Sequence, residues 1–371
     1  MFLIERDAYP GKNNVCAGGL ERVHAQNLNL TEEIVEKNIS TSIFYFPWQT
    51  YALNIPQISV QRNVFDRFLA QNAVGEGAKL LVSTLATDVA RSRDGMVVKL
   101  KNRVTKETFQ VKAKLVIFAD GPNTLAFKKL RIGFGSKNRK AFSAIYEVEW
   151  EDNPFECFEH FFDREVSPWG YGWIFPKRDL LNVGVMCLMP MMRSNIKTYL
   201  DFLVNKHPIA SKKLAERAKV RFAAAIIPLQ HADKIYSDRV LIVGDAAGMV
   251  DPIWGAGIGY AIRGSMLAAK VAVKALEENT FDETSLSQFD REWKRGEAYK
   301  SIRKSQLLLT LSLGYSRFDK NAYLRLQTLL ALRNGAHRYK PGDNCNFPIT
   351  KLFDKAYVNP TKKLLSSFVG W

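Results

Sequence analysis

The chain has 371 residues, which is enough for two or three domains with separate hydrophobic cores. Its 47% hydrophobic and 24% charged residues exclude a disordered chain and are typical of globular proteins. A formal net charge of +16 favours anionic partners, but there is no zinc-finger pattern, RNP-type aromatic strand or set of basic heptads. We therefore expect no nucleic-acid partner. A solvated basic surface and contact with an anionic membrane surface remain open.

The cysteines and histidines indicate no metal site. The four cysteines are scattered without a Cys-x-x-Cys pair, and the five histidines show no metal-ligand spacing. This cysteine usage favours a reducing compartment. After Met1 there is no signal-peptide pattern, and no apolar run approaches the roughly 18 residues of a membrane span. These features predict a cytoplasmic protein, with attachment to the periphery of the cytoplasmic membrane as an open alternative.

The first third of the chain predicts short strands around one helix. Residues 2–5 have the pattern of a buried strand, and residues 63–73 have helical spacing. Residues 114–118 predict a further apolar strand, followed by Asp120-Gly121. Three alternating segments predict antiparallel strands, at residues 79–83, 95–101 and 108–112.

The rest of the chain begins with strands and ends with helices. Residues 141–189 are strand-like and rich in aromatic residues, and residues 195–206 and 209–221 have helical spacing. Residues 240–243 predict a short apolar strand, and residues 285–332 are largely helical. Strands followed by terminal helices predict a mixed fold rather than an all-helical one.

The segment after the strand at 240–243 predicts a ligand site. The strand ends at Gly244-Asp245, and the Gly-rich loop 252–257 leads into a long helix of small residues. Glycines allow close approach of the backbone, and a helix N-terminus favours an anionic group. The carboxylate of Asp245 can accept hydrogen bonds from the hydroxyl groups of a polyol. A reduced flavin has both a polyol, its ribityl chain, and a ring region that becomes anionic, so we interpret this segment as the flavin end of an FAD site.

Acids follow three of the predicted apolar strands, namely Glu5, Asp120 and Asp245. The carboxyl ends of strands in an open α/β sheet meet at one ligand-binding crevice. We therefore predict a mixed α/β fold with a discontinuous Rossmann-like FAD-binding domain, an inserted antiparallel β-sheet substrate domain and C-terminal helices. The expected divisions are 1–40, 59–135 and 235–280 for the first domain, 41–58 and 136–234 for the second, and 281–371 for the helical region.

Several motifs resemble those of one flavoprotein group. Residues 114–124, KLVIFADGPNT, resemble a second dinucleotide fingerprint, and Arg62 with Phe65-Asp66 resembles an Arg-x-x-Phe-Asp element. Residues 171–177, YGWIFPK, resemble a Tyr-x-Trp-x-Phe-Pro-Lys element, and residues 16–20, CAGGL, resemble a Cys-Gly-Gly segment. On these motifs the chain resembles the geranylgeranyl reductase family, within the flavoproteins similar to p-hydroxybenzoate hydroxylase.

The resemblance implies roles for particular residues. Tyr171, Trp173 and Phe175 alternate along one strand, so an aromatic wall for an apolar substrate is expected, with a core-facing strand as the alternative. Cys16 could lie over the flavin and help to protonate the substrate, with a packing role as the alternative. The catalytic candidates are Cys16, Tyr171 and Trp173. The cofactor-binding candidates are Glu5, Gly18, Gly19, Arg62, Asp120, Gly121, Gly244, Asp245, Gly255, Gly257 and Ile258.

The implied function is FAD-dependent reduction of isolated C=C bonds in a geranylgeranyl or other polyprenyl group of a lipid, quinone or diphosphate. NAD(P)H and reduced ferredoxin remain open as the electron donor. Two alternatives remain: a flavin-dependent monooxygenase or halogenase, and a cofactor-free lipid-binding descendant of the family.

The sequence departs from the family pattern in three places: before Glu5, at Asn13-Asn14, which displace Lys12 from the position usually just before the Cys, and at Trp254 and Ala256. No Gly-x-Gly-x-x-Gly unit precedes Glu5, and the glycines at 255–259 follow the wrong strand. A truncated reading frame is the favoured explanation, and loss of the pyrophosphate cradle is the alternative. Trp254 and Ala256 also differ from the expected residues, and an indole beside the flavin could alter substrate access.

Overall fold

The computed structural model describes residues 1–13, 15–26, 28–134, 139–151 and 153–339. The predicted helical region at 281–371 therefore lies partly outside the described residues. The helices are α1 (Arg22–Ala25), α2 (Arg62–Gly75), α3 (Leu125–Leu130), α4 (Ile196–Asn205), α5 (Ala210–Leu214), α6 (Ile258–Glu277), α7 (Glu283–Arg295), α8 (Glu297–Tyr315) and α9 (Ala322–Arg333).

The strands, in chain order, are β1 (Phe2–Ile4), β2 (Gly19–Glu21), β3 (Val35–Phe46), β4 (Gln49–Val60), β5 (Lys79–Leu81), β6 (Thr84–Ser92), β7 (Gly95–Asn102), β8 (Thr108–Ala113), β9 (Val116–Phe118), β10 (Lys140–Glu149), β11 (Cys157–Phe161), β12 (Tyr171–Pro176), β13 (Leu180–Leu188), β14 (Lys219–Pro228), β15 (Tyr236–Ser237), β16 (Val240–Ile242) and β17 (His337–Arg338).

A large, mostly antiparallel sheet forms the centre of the molecule. Its strand order is β14-β10-β13-β12-β11-β3-β4-β17, with β2 also paired to β4, and the β11–β3 pair is parallel. Alternate residues of each strand enter separate cores on the two faces. In β12, Ile174 packs on the face covered by α4, whereas Tyr171, Trp173 and Phe175 pack on the opposite face. The predicted sharing of one face by these aromatic residues is confirmed.

The smaller sheets carry the acid-tipped strands. β1 pairs in parallel with β5, and β9 pairs in parallel with β16, whose other neighbour is the antiparallel β15. The three predicted strand ends are therefore present, but within the described residues β1 is hydrogen-bonded in a different sheet from β9 and β16. β1 is also less buried than its apolar sequence suggests, because Phe2 is half exposed.

Two sequence predictions of secondary structure are wrong. Residues 79–83 do not belong to the antiparallel meander, because β5 is parallel to β1 and the third meander strand is β6. β6 was missed because it is largely solvent-exposed and shows little apolar alternation. The predicted helix at 209–221 stops at Leu214, since Glu216 has a left-handed backbone (φ 61°) and the chain from Lys219 pairs with β10 instead.

The remaining helix predictions agree with α2, α4, α6 and the group α7 to α9. The division into domains stays a prediction, and β3 crosses its boundary at residues 40 and 41. In the part of the chain that the structure describes, no helix is sufficiently long and apolar to span a bilayer.

Candidate functional site

The loop that carries Cys16 is fixed to the large sheet by side chains of β12 and β13. Trp173 Nε1 donates to Asn182 Oδ1 at 2.8 Å, and Asn182 Nδ2 donates to the main-chain oxygen of Cys16 at 3.1 Å. The backbone N–H of Gly18 lies 3.4 Å from the Cys16 sulfur. Two of the catalytic candidates, Cys16 and Trp173, are thus connected through one buried amide.

Lys177, at the end of the same aromatic motif, is a second anchor for this loop. Its ammonium donates to the main-chain oxygens of Ala17 and Val60 and to Ser59 Oγ, at 2.7, 2.9 and 2.9 Å. Burial lowers the pKa of Lys177 to about 8, so the side chain is still mainly protonated at neutral pH. These bonds match the three N–H groups of an ammonium.

Gly18 and Gly19 allow the close contacts that the loop requires. Gly18 has φ 70°, and a Cβ there would lie 2.1 Å from the Val60 carbonyl oxygen. A Cβ at Gly19 would lie 2.8 Å from the Phe175 ring. These close contacts explain, without a cofactor, why both positions are occupied by glycine. The predicted role of Gly18 and Gly19 in binding the cofactor stays a prediction.

Arg62 lies at the meeting point of several predicted site residues. It forms a two-point ion pair with Asp66, at 2.7 and 2.9 Å. Burial alone would lower the pKa of Arg62, but the nearby Cys16 and Asp66 outweigh burial, so its pKa is raised. Arg62 also acts on Asp245, whose pKa is raised by burial and lowered in part by the Arg62 charge. Cys16, Arg62 and Asp245 are thus brought together.

A cavity of about 220 Å³ opens beside Cys16 and Arg62. Its lining is mostly polar, and its charged residues are four cations, Lys12, Arg62, Lys177 and Arg221, and one acid, Glu147, which pairs with Arg221 at 2.7 Å. Such a lining suits an anionic or polar group better than an alkyl chain. Cys16 therefore lines a polar cavity, while Asn182 ties its main chain to Trp173 of the aromatic strand β12.

The aromatic wall continues beyond β12 through Trp254. Its ring lies 6.0 Å from Phe44, 6.2 Å from Phe162 and 6.4 Å from Tyr171, measured between centroids. The Tyr171 hydroxyl donates to the Trp254 carbonyl oxygen at 2.5 Å. The unexpected Trp254 is thus part of the wall rather than an isolated surface residue.

Asp251 holds the loop that presents Trp254. Its Oδ1 accepts from the backbone N–H groups of Ile253 and Trp254, and its Oδ2 accepts from Ser305 Oγ of α8 at 2.7 Å. Gly255 then turns with φ 65°, where a Cβ would lie 2.6 Å from the sulfur of Met186. Sequence reasoning missed Asp251, although its position two residues before Ile253 is typical of an Asx turn.

His160 is a buried polar group within this wall. Its ring stacks on Phe44 at 4.8 Å and lies 5.1 Å from Phe175. Burial lowers the pKa of His160 to about 3, and its Nδ1 has no hydrogen-bond partner among the described residues. No sequence pattern indicated this neutral imidazole, which lies among the substrate-wall candidates.

Two strand-end acids occupy more open positions than Asp245. Burial raises the pKa of Glu5, whose carboxylate accepts from the Asp7 backbone at 2.8 Å. Asp120 is exposed and accepts from the Leu125 backbone at 2.7 Å. Next to it, Gly121 has φ 79° and open space where a Cβ would point. Among the described residues there is no group of three or more His, Cys, Asp or Glu that could hold a metal ion.

Asp245 and the start of α6 fit the ribityl and ring end of FAD. Among the described residues none donates a hydrogen bond to the Asp245 carboxylate, so its oxygens can accept from hydroxyl groups. Gly257 precedes α6 without a side-chain cap, and a Cβ there would lie 3.5 Å from Asp245 Oδ1. Ile258 begins the helix and packs beside Val60 and Phe65. Gly244, with φ 61°, completes the turn.

Comparison with known proteins gives a consistent result. A family model described as an FAD binding domain matches residues 49–294. The chain is 32% identical over 305 residues to digeranylgeranylglycerophospholipid reductase 3 of Methanosphaera stadtmanae. The aligned region covers 78% of this chain and 75% of that protein.

Solved structures share the fold. A geranylgeranyl bacteriochlorophyll reductase-like protein from Thermoplasma acidophilum gives a TM-score of 0.70 at 22% identity, over 87% of this chain and 88% of that one. CmlS, a flavin-dependent halogenase, also gives 0.70 at 20% identity, over 95% of this chain and 71% of that one. The predicted fold class is confirmed.

Proposed function

Because this chain belongs to the geranylgeranyl reductase family of FAD-dependent oxidoreductases, we propose that it reduces isolated C=C bonds in the polyprenyl chains of a lipid. The observation that carries the proposal is the buried aromatic wall, whose strand β12 is tied through Asn182 to the Cys16 loop. An aromatic wall excludes water and binds long apolar chains. The name of the Methanosphaera relative supports a glycerophospholipid as the substrate class.

Each part of the site has a defined task in this proposal. Asp245, Gly257 and Arg62 would hold and orient the ring end of FAD, which in its reduced form would supply a hydride for one alkene carbon. Tyr171 and Trp173 position the prenyl chain, and the Cys16 thiol delivers a proton to the other alkene carbon. Each turnover adds two hydrogen atoms to one double bond.

A protein-positioned proton donor matters because an isolated alkene is not polarised by a neighbouring carbonyl group. Cys16 lies within the electrostatic reach of Arg62 and beside the polar cavity, from which water could return the proton that it gives up. Positioning of this kind contributes typically 10²–10⁴-fold to proton-transfer steps. NAD(P)H and reduced ferredoxin remain the candidate donors for reduction of the flavin.

The test is an anaerobic incubation of the protein with FAD, dithionite and a digeranylgeranyl glycerophospholipid. We expect a product heavier by the mass of two hydrogen atoms for each reduced double bond. No such product, together with oxygen-dependent halogenation or hydroxylation of an aromatic substrate, would support the halogenase-like alternative. Replacing dithionite by NADPH or reduced ferredoxin, and following loss of the oxidised flavin absorbance, identifies the electron donor.

A further inference from the structure

A row of large apolar side chains projects into solvent from one side of α8 and the turn that follows it. Leu307, Leu311, Tyr315 and Phe318 follow one another at intervals of three or four residues, so they share one helical face. They are between 54% and 85% exposed. This arrangement is the reverse of an ordinary surface helix, which directs its apolar residues inward.

Helix α9 packs against α8 and adds to the exposed apolar surface. Its Leu329 and Leu332 are 48% and 44% exposed. We call the exposed row on α8 and the turn that follows it, defined by Leu307, Leu311, Tyr315 and Phe318, the outer face. Exposed apolar groups at this density indicate an interaction surface, because single scattered ones are ordinary but grouped ones are not.

The charge around the outer face is mostly positive. From residue 297, where α8 begins, to residue 335 the sequence has seven Lys and Arg residues and two acids, Glu297 and Asp319. Glu297 pairs with Lys300 at 2.6 Å and Asp319 with Arg325 at 2.8 Å, so five of the seven cations have no acid partner within this segment. Lys304 and Lys300 extend the helical row of Leu307 by one and two turns, respectively, toward the N-terminus of α8. Apolar and aromatic side chains flanked by Lys and Arg are typical of helices that lie in the interface of an anionic bilayer.

The opposite side of α8 contacts the candidate substrate site. Leu309 is 1% exposed and belongs to the same core as Tyr171 and Phe175. Ser305 donates to Asp251, which holds the loop of Trp254. One helix therefore separates the outer face from the aromatic wall.

We propose that the outer face docks on an anionic phospholipid bilayer, so that a polyprenyl lipid passes from the bilayer past α8 to the aromatic wall. The delivery step rests on the proposed function. The docking itself rests on the exposed apolar row and its basic surroundings. An anionic headgroup layer would neutralise Lys300 and Lys304, while Leu311 and Phe318 enter the acyl boundary.

The experiment is co-sedimentation of the full chain with phosphatidylcholine vesicles that contain one third phosphatidylglycerol. The wild type should bind these vesicles, bind pure phosphatidylcholine vesicles much less, and lose affinity as salt is added. In Leu311→Glu/Phe318→Glu the partition coefficient should fall about tenfold or more. In Lys300→Glu/Lys304→Glu it should also fall about tenfold or more.

Matched controls use exposed residues on the β7–β8 hairpin. Val104, which is 74% exposed, tests the apolar change as Val104→Glu. Lys101→Glu/Lys112→Glu makes the same change of charge as the α8 lysine variant on a different surface. Both controls should bind like the wild type. All variants should keep the wild-type circular dichroism and the wild-type rate on detergent-dispersed substrate.

Three outcomes would overturn the docking proposal. The first is a wild type that does not bind anionic vesicles. The second is loss of binding in Lys362→Glu/Lys363→Glu, in the sequence beyond the described residues, with full binding by both α8 variants. The third is a wild-type dimer in gel filtration that the Leu311→Glu/Phe318→Glu change dissociates, which would make the outer face a contact between two copies. Vesicle binding without any alkene reduction would contradict the proposed function but would still support the docking proposal.

Discussion

The ammonium of Lys177 donates a hydrogen bond to the main-chain oxygen of Ala17, at 2.7 Å, across 160 residues of sequence. This bond joins the end of the aromatic strand β12 to the loop that carries Cys16. With the bonds to Ser59 and Val60 of β4, it makes one buried cation the link between the Cys16 loop, β4 and the end of β12. The shape of the candidate site therefore depends on Lys177.

We expect Lys177→Met to destabilise the fold by about 2 kcal/mol, because the buried oxygens of Ala17 and Val60 lose their donor. The control is Lys101→Met on β7, where the side chain is exposed and the change should be below about 0.5 kcal/mol. Urea denaturation at pH 7 measures both. Equal stabilities for the two variants would show that Lys177 is not an anchor.

Asn182 links the Trp173 indole to the Cys16 carbonyl, so Asn182→Leu should disturb the reaction more than the binding of FAD. We expect kcat to fall about tenfold with an almost unchanged Kd for FAD, since a misplaced catalytic group costs rate first. Asn205→Leu, on the exposed end of α4, is the control. A large loss of FAD affinity with normal kcat would contradict this arrangement.

The Asp245 carboxylate should be needed in its ionised form to accept hydrogen bonds from FAD. We expect Asp245→Asn to weaken FAD binding about tenfold, which corresponds to the loss of one charge-assisted hydrogen bond. Asp233→Asn, at an exposed position, should bind FAD like the wild type. Because burial raises the pKa of Asp245, the affinity of the wild type should also fall as the pH drops through that pKa. Flavin fluorescence titration provides each Kd.

Sequence patterns predicted the parts of the site that depend on local order. The alternation of Tyr171 and Trp173 predicted a shared face, and the strand before Asp245 predicted its position at a sheet end. Contacts between distant segments were not predictable in this way. The Lys177 bond to Ala17 depends on the pairing of strands far apart in the chain, and no local pattern indicates its partner.

The two wrong secondary-structure predictions have the same physical origin. Residues 209–221 have helical spacing, but hydrogen bonds with β10 form a strand from Lys219 onward. β6 has too little burial to show an apolar period, and it exists because β7 pairs with it. In both cases tertiary pairing decided a segment whose local preference was weak or opposite.

Trp254 occupies space within the aromatic wall, and we expect Trp254→Ala to shift substrate preference toward bulkier prenyl chains. The ratio of kcat/KM for a long chain to that for a short one should rise about tenfold. Trp150→Ala removes an indole from the other face of the large sheet, so it can lower stability but should leave that ratio unchanged. Competition between two prenyl lipids, followed by mass spectrometry, measures the ratio. An unchanged ratio in Trp254→Ala would place the substrate elsewhere.

Finally, His231 should make the stability of the protein fall in mild acid. Trp293 Nε1 donates to His231 Nε2 at 2.8 Å, and Nδ1 lies 2.7 Å from the Ala232 carbonyl oxygen, an arrangement that requires a neutral ring. Burial lowers the pKa of His231 from 6.5 to about 4. Between these two pKa values the unfolded chain binds more protons than the folded one. The neutral ring therefore contributes its full stabilisation above pH 6.5, and this contribution is lost as the pH falls toward 4.

In urea denaturation at a series of pH values, His231→Gln should have a shallower loss of stability than the wild type over this range. The difference between the two losses should approach about 3 kcal/mol, which is the free energy equivalent of the pKa shift. Gln can still accept a hydrogen bond from Trp293, so the comparison isolates the titration rather than the contact. Parallel curves for the two proteins would show that His231 does not titrate in this range, and that carboxyl groups account for the whole acid sensitivity.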